Sequence, residues 1–233
     1  MKVGERKMAK LAKRMKGYRE IVDREKEYDF SEAVKTLLDV QGAKFDESVE
    51  VSLNMNLDPR HADQMLRSTI VLPHGTGKAQ RIAVFAKDDK AAEAEKAGAD
   101  IVGADDLVAK VKGGFLDFDV VVAAPDCMPL VGQLGKILGP KGLMPNPKTG
   151  TVTNDIKSTI ENINKGLVAY KNDKAGTIHA ALGKVSFDES KLTENVTSFI
   201  DEIKKIKPSG LKGNFVNSVY LSSSMGFGLR VEI

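Results

Sequence analysis

The three histidines, His61, His74 and His179, lie far apart in the chain, and no cysteine or carboxylate stands at ligand spacing from any of them. A metal centre is therefore not expected. Cys127 is the single cysteine, follows a predicted strand, and has no histidine suggested beside it, so it reads as a small packing residue rather than a nucleophile. Ser68, Ser186 and the other serines lack the strand–turn–helix setting of a nucleophile elbow. Asp88, Asp105 and Asp126 follow successive predicted strands, where α/β enzymes hold ligands. Each also precedes a predicted helix, and aspartate at an N-cap is worth about 1 kcal/mol, so capping accounts for all three. HGTGK at 74–78 has the glycines and lysine of a phosphate loop, but Gln80 stands where a dinucleotide fingerprint needs glycine or alanine. The Walker spacing is missing as well, because Leu72 stands five before Gly77 and Ala79 follows Lys78. A strand rather than a helix follows, and a hairpin turn is predicted. No catalytic residue and no cofactor emerge from this survey, and a nucleotide-binding α/β enzyme stands as the alternative reading.

Three stretches have the chemistry of an interaction surface. Lys44 and Phe45 precede an amphipathic strand; Lys171, Asn172, Asp173, Lys174 and His179 surround a turn; Ser222 to Gly228 is small and polar around Met225. Cation, ring, hydroxyl and exposed backbone are what an RNA surface uses, for phosphates, bases and the 2′-hydroxyl. The plain alternatives are a core aromatic for Phe45 and an ordinary loop for the serines. If the two ends of the chain share a sheet, the three stretches are expected to lie close together.

Charge is unevenly placed and fits two readings about equally. The net charge is only +3, yet residues 1–27 hold ten Lys or Arg against five acids, a local +5 that leaves −2 for the rest. A basic helix attracts phosphate by releasing counterions, although a solvated helix face has the same composition. With 42% hydrophobic and 29% charged residues the chain is of globular type. No apolar run approaches the ~20 residues that span a bilayer, no signal-peptide core is seen, and one cysteine suits a reducing cytoplasm.

These residues need a scaffold. Apolar residues at helical spacing predict helices over 5–22 and 32–40, the second capped by Asp29 or Ser31 and ended by Gly42. From Phe45 to Leu57, Val49, Val51, Leu53, Met55 and Leu57 alternate with polar residues, the pattern of a strand with one buried face. Residues 68–158 differ: short apolar runs at 82–86, 101–102 and 119–124 alternate with helices at 88–97, 105–112 and 128–138, a parallel-sheet pattern. A helix to Asn164, a hairpin of 167–170 with 177–185 across KNDKAG, a long helix opened by Asp188 and closed by Pro208, and strands at 215–221 and the C-terminus complete the chain. A single strand near the N-terminus cannot make a sheet, so it is expected to pair with the C-terminal strands. The predicted fold is α/β with two domains: a discontinuous α+β domain of residues 1–67 and 159–233, antiparallel and built from both chain ends, and an inserted α/β domain of residues 68–158. Two connections, at Ser68, Thr69, Ile70 and Val71 and at Gly150, Thr151 and Val152, make a natural hinge.

The stretch from Gly132 to Gly150, GQLGKILGPKGLMPNPKTG, interleaves glycine, proline and lysine with apolar residues that need packing, and predicts an ordered loop. Together with TIVLPHGTGK, YKNDKAGTIHAALGKVSF and the late SMG, it strongly resembles the bacterial ribosomal protein L-one family of the large-subunit stalk, over nearly the whole chain from about Met8. The resemblance implies a Rossmann-like three-layer inserted domain and a non-enzymatic protein of the cytoplasmic large ribosomal subunit, monomeric when free. Its implied partners are the stalk region of large-subunit rRNA, other subunit components, exit-site tRNA, whose release it would assist, and its own messenger, which it would repress through a mimic of the rRNA site. A third reading gives the inserted domain the recruitment of a protein or tRNA partner. Carried over by residue, the implied RNA surface is Lys44, Phe45, Ser48, Asp173, Lys174, His179, Met225 and Gly226, with Lys136, Lys141 and Lys148 available for secondary contacts. Two positions depart from the family pattern. Ser224 replaces a common threonine and keeps the hydroxyl, while Lys171 replaces a frequent arginine and offers a point charge without a bidentate fork.

Overall fold

A computed structural model describes residues 16–18, 21–23, 26–40, 43–61, 64–207, 211 and 213–232. Most of the predicted helix 5–22 and its basic run, with Gly42 and Pro208, lies outside these; residues 16–18 and 21 are helical. The fold is mixed α/β, and the described residues form three sheets and two separate clusters of buried side chains.

The first cluster is organised by β1 (Ser48–Met55), whose Val49, Val51, Leu53 and Met55 are buried while Glu50 and Asn54 are exposed. β1 is central, because β7 (Thr177–Lys184) and β8 (Val216–Ser223) both pair with it antiparallel, and β9 (Gly228–Val231) pairs with β8. The lone N-terminal strand thus completes its sheet with C-terminal strands, as the sequence predicts. Two helices pack on one another to close this core. α1 (Phe30–Asp39) starts at Asp29, whose carboxylate accepts the Ser31 N–H, and buries Ala33, Val34 and Leu37. α7 (Glu189–Lys205) buries Leu192, Val196, Phe199, Ile200 and Ile203, and Asp188 holds its cap position with an ion pair to Lys191.

The second cluster surrounds three parallel strands in the order β4 (Ile101–Gly103), β3 (Ile82–Phe85), β5 (Val120–Ala123). α2 (Asp88–Lys96) packs against α6 (Ile156–Asn164), and α3 (Asp105–Lys112) against α4 (Met128–Gly132). The predicted helix 128–138 is broken into α4 and α5 (Gly135–Leu138), since Gly132 and Gly135 weaken helix propagation where the chain turns. Ile156, Ile160 and Ile163 of α6 belong to this second core.

Three sequence expectations are corrected. β6 (Leu167–Lys171) does not form a hairpin with β7: it pairs along its whole length with β2 (Arg67–Val71), and only Asn172 bridges Ile178. Tyr170 turns into the first core against the Phe199 ring, which draws β6 away from β7. The HGTGK turn joins β2 to β3, strands of different sheets, so it is not a hairpin either. Asp105 lies inside the first turn of α3, whose cap position falls to Ala104, and Asp126 lies inside a short 3-10 turn, Pro125–Cys127, that leads into α4, whose cap position falls to Cys127; Lys87 holds the cap of α2, so Asp88 is no cap.

Candidate nucleic-acid interface

The register of β1 decides where the candidate residues stand. Val49 faces Ser223 on β8, so the loop that enters β1 and the turn that leaves β8 share one end of the sheet. There the Ser48 N–H donates to Ser224 Oγ and the Ser224 N–H donates to the Ser48 carbonyl, each at 3.0 Å. Lys184 Nζ donates to Ser48 Oγ at 3.0 Å and Ser186 binds both oxygens of Asp46. The Glu47 carboxylate accepts the Ala43 N–H and the Met225 N–H. Out of this bonded base Phe45 stands 57% exposed and Met225 50% exposed. Phe45 is therefore no core aromatic. Gly226 closes the turn with its N–H on the Ser223 carbonyl, and a Cβ there would collide with the Ser223 hydroxyl.

The turn after β6 belongs to the opposite end, because Thr177 faces Asn54. Asp173 shapes it. Its Oδ1 accepts the Ala175 and Thr177 N–H groups at 2.8 Å, and its own N–H donates to the Thr177 carbonyl. Hydrogen bonds from the Thr177 and Ala175 N–H groups, with the nearby His179, hold the Asp173 carboxyl below the usual aspartate range. Gly176, at φ +82°, lies against the Leu57 and Met55 carbonyls, where a Cβ has no room. Lys174 is exposed on the turn. His179 lies between the two ends, exposed, with Nδ1 3.0 Å from Ser52 Oγ.

The candidates therefore do not form one cluster. Phe45, Lys44, Ser48 and the Ser224–Gly226 turn occupy one end and Asp173 and Lys174 the other, about 20 Å away at the usual strand rise; His179, between them on β7, reaches the second group, its Nε2 3.9 Å from Asp173 Oδ2. What the three stretches share is the outward row of β1. That row also reveals residues the sequence alone did not single out: Ser52 pairs across β8 with Tyr220, and Tyr220 with Arg230, so His179, Ser52, Tyr220 and Arg230 run abreast. Alternation around Ser52 and Tyr220 carried the signal, but only the register aligns them. Lys171 lies in β6 directly opposite Arg67, a second cation missed in sequence. Lys44, Lys171 and Lys174 have no ion pair among the described residues.

Lys136, Lys141 and Lys148 are exposed along the 132–150 segment, which is ordered: Leu134, Leu138, Pro145 and Thr149 are buried. Its last turn, Pro147–Thr149, is capped by Asn146, lies against β2, and leaves through Gly150 at φ +65°. Val152 bridges Ala123 beside β5, while Ser68, Thr69, Ile70 and Val71 form the body of β2. A cleft of about 390 Å³ is lined by residues that include Ser48, Lys78, Val120, Thr151, His179 and Lys184.

Elsewhere the chemistry is structural. Asp105 pairs with Lys87 and Asp126 with Lys90, and burial pushes the Cys127 thiol up. Among the described residues no cluster could hold a metal ion, and no helix is long and apolar enough to cross a membrane.

Residues 37–227 match the profile of the ribosomal protein L1p/L10e family. A protein of Thermosipho melanesiensis described as large ribosomal subunit protein uL1 is 54% identical over 226 residues, 97% of each chain.

Proposed function

This chain belongs to the ribosomal protein L1p/L10e family, and from that premise we propose a non-enzymatic protein of the cytoplasmic large ribosomal subunit that binds the stalk region of large-subunit rRNA. One observation carries the placement of the RNA site. Phe45 and Met225, a ring and a flexible thioether, stand exposed over a base of hydrogen bonds that joins residues 176 positions apart. Exposed apolar side chains held rigidly beside free lysines suit stacking on bases and attraction to phosphate. Ser48, Asp173, Lys174, His179 and Gly226 extend this surface along the outward row of β1, with Lys171 beside it and Lys136, Lys141 and Lys148 as secondary contacts.

The same reading divides the chain into a discontinuous RNA-binding domain, residues 1–67 with 159–233, and an inserted Rossmann-like domain, residues 68–158. Two separate buried clusters support that division, and α6, at the return boundary, packs with the inserted one. Ser68–Val71 and Gly150–Val152 flank the passages where the two would move. The family also suggests help in releasing exit-site tRNA and repression of the protein's own messenger through an rRNA-like site, by a protein monomeric when free.

A salt titration of binding to the isolated stalk rRNA tests the proposal. Affinity on the order of nanomolar, falling with a log–log slope of several phosphates, is expected. Affinity equal to that for an arbitrary hairpin RNA at the same salt would overturn it.

A further inference from the structure

We propose that Glu47 is a positioning residue of this surface: its buried carboxylate ties the Lys44–Phe45 loop to the Ser224–Gly226 turn and presets Phe45 and Met225 for RNA. The inference rests on the RNA-binding reading above. Glu47 is 4% exposed and the only acid among the buried residues described. An ionised carboxylate there is tolerated only when its oxygens are hydrogen-bonded. The bonds come from two separate loops: Oε1 accepts the Ala43 N–H at 3.2 Å and Oε2 the Met225 N–H at 2.9 Å. Neither loop has a ladder of its own at these positions. The Glu47 backbone is itself fixed, its carbonyl accepting the Val185 N–H at 2.9 Å. A carboxylate is the group that fits, because both of its oxygens accept. Glutamine has the same length but would turn an NH₂ toward one of the two N–H donors. With the loops joined before RNA arrives, the ordering of Phe45 and Met225 is completed on folding and does not weaken binding.

The test measures stalk rRNA affinity and thermal midpoint for wild type, Glu47→Gln, Phe45→Ala and the double variant, with hydrogen exchange on the free wild type. Glu47→Gln should remain folded and bind about tenfold more weakly, as expected for a lost charge-assisted hydrogen bond. Phe45→Ala should then cost less in the Glu47→Gln background than in wild type, a coupling that a purely structural role would not produce. The Met225 amide of the free protein should be protected like those of β1. Glu47→Gln affinity within twofold of wild type, or an equal Phe45→Ala cost in both backgrounds, would overturn the role. If Glu47→Gln does not fold, exchange decides alone, and a rapidly exchanging Met225 amide would overturn it. A wild type that does not prefer the stalk rRNA overturns the RNA reading itself; a wild type that prefers it beside an unimpaired Glu47→Gln overturns only the part given to Glu47.

Discussion

Gly75 and Gly166 meet backbone to backbone. A Cβ on Gly166 would fall under 3.0 Å from the Gly75 Cα, and the two residues have φ of +66° and +100°. They mark where the two chain passages between the buried clusters run against each other, fastened by the Leu72 N–H on the Gly166 carbonyl.

Gly166→Ala should therefore be costly, since it combines a left-handed backbone with a collision against main chain. About 2–5 kcal/mol is expected, a fall of roughly 5–15 °C in thermal midpoint for a chain of this size. Gly142→Ala is the control: its φ is +74° but no atom lies within 4 Å of the added Cβ, so about 1 kcal/mol is expected. Calorimetry on both variants separates crowding from backbone strain.

Asn195 anchors the same crossing from the helix side. Fully buried in α7, it accepts the His74 N–H and donates to the Gly75 and Leu182 carbonyls. Asn195→Ala strands these partners and should lower stability by about 2–4 kcal/mol, read from urea midpoints at unchanged m-value.

Phe45→Ala should weaken stalk rRNA binding about tenfold or more, since a base stacked on an aromatic ring is worth about 1–3 kcal/mol, and Met225→Ala, which removes an exposed apolar contact, should weaken it measurably too. Their exposure predicts thermal midpoints within about 2 °C of wild type. Filter binding at fixed salt, beside calorimetry, checks both halves. Lys44→Ala and Lys174→Ala should instead reduce the salt slope by about 1 each.

Asp173 supplies a pH dependence with a fixed sign. Its carboxyl is held low in the folded turn, first by the Thr177 N–H, so the stability it contributes is present above the unfolded aspartate value of about 3.9 and is lost as pH falls through its lower folded value. The Thr177 and Ala175 amide resonances should titrate together, with a midpoint below about 3.9. A midpoint at or above that value would show that the carboxylate does not hold the turn.

Much of this architecture is legible from residue order. The strict alternation from Val49 to Met55 marks β1 because a strand with one buried face must repeat every two residues, and its lack of an early partner sends it to the C-terminal strands. The separation of β6 from β7 is not legible, because Tyr170 looks the same whether its ring packs on Phe199 or on a hairpin neighbour. Nor are the caps: Asp105 has the residue type of a cap and sits one residue beyond that position, while Asp126 sits one residue short of the cap of α4, in the 3-10 turn before it. In the candidate site, Phe45 and Met225 are conspicuous for their types, whereas the alignment of His179, Ser52, Tyr220 and Arg230 depends on strand register, which no local spacing reports.

The central place of β1 has a consequence for synthesis. Its neighbours, β7 and β8, lie some 120 to 170 residues downstream, so a growing chain carries β1 with both edges unpaired until most of the protein has been made. The parallel sheet closes on sequence between Ile82 and Asn164 and can fold while β1 still waits. Such long-range pairing is slow and exposes an apolar strand to mispairing. The alternate polar residues Glu50, Ser52 and Asn54, which face outward in the finished sheet, also guard that strand while it is alone.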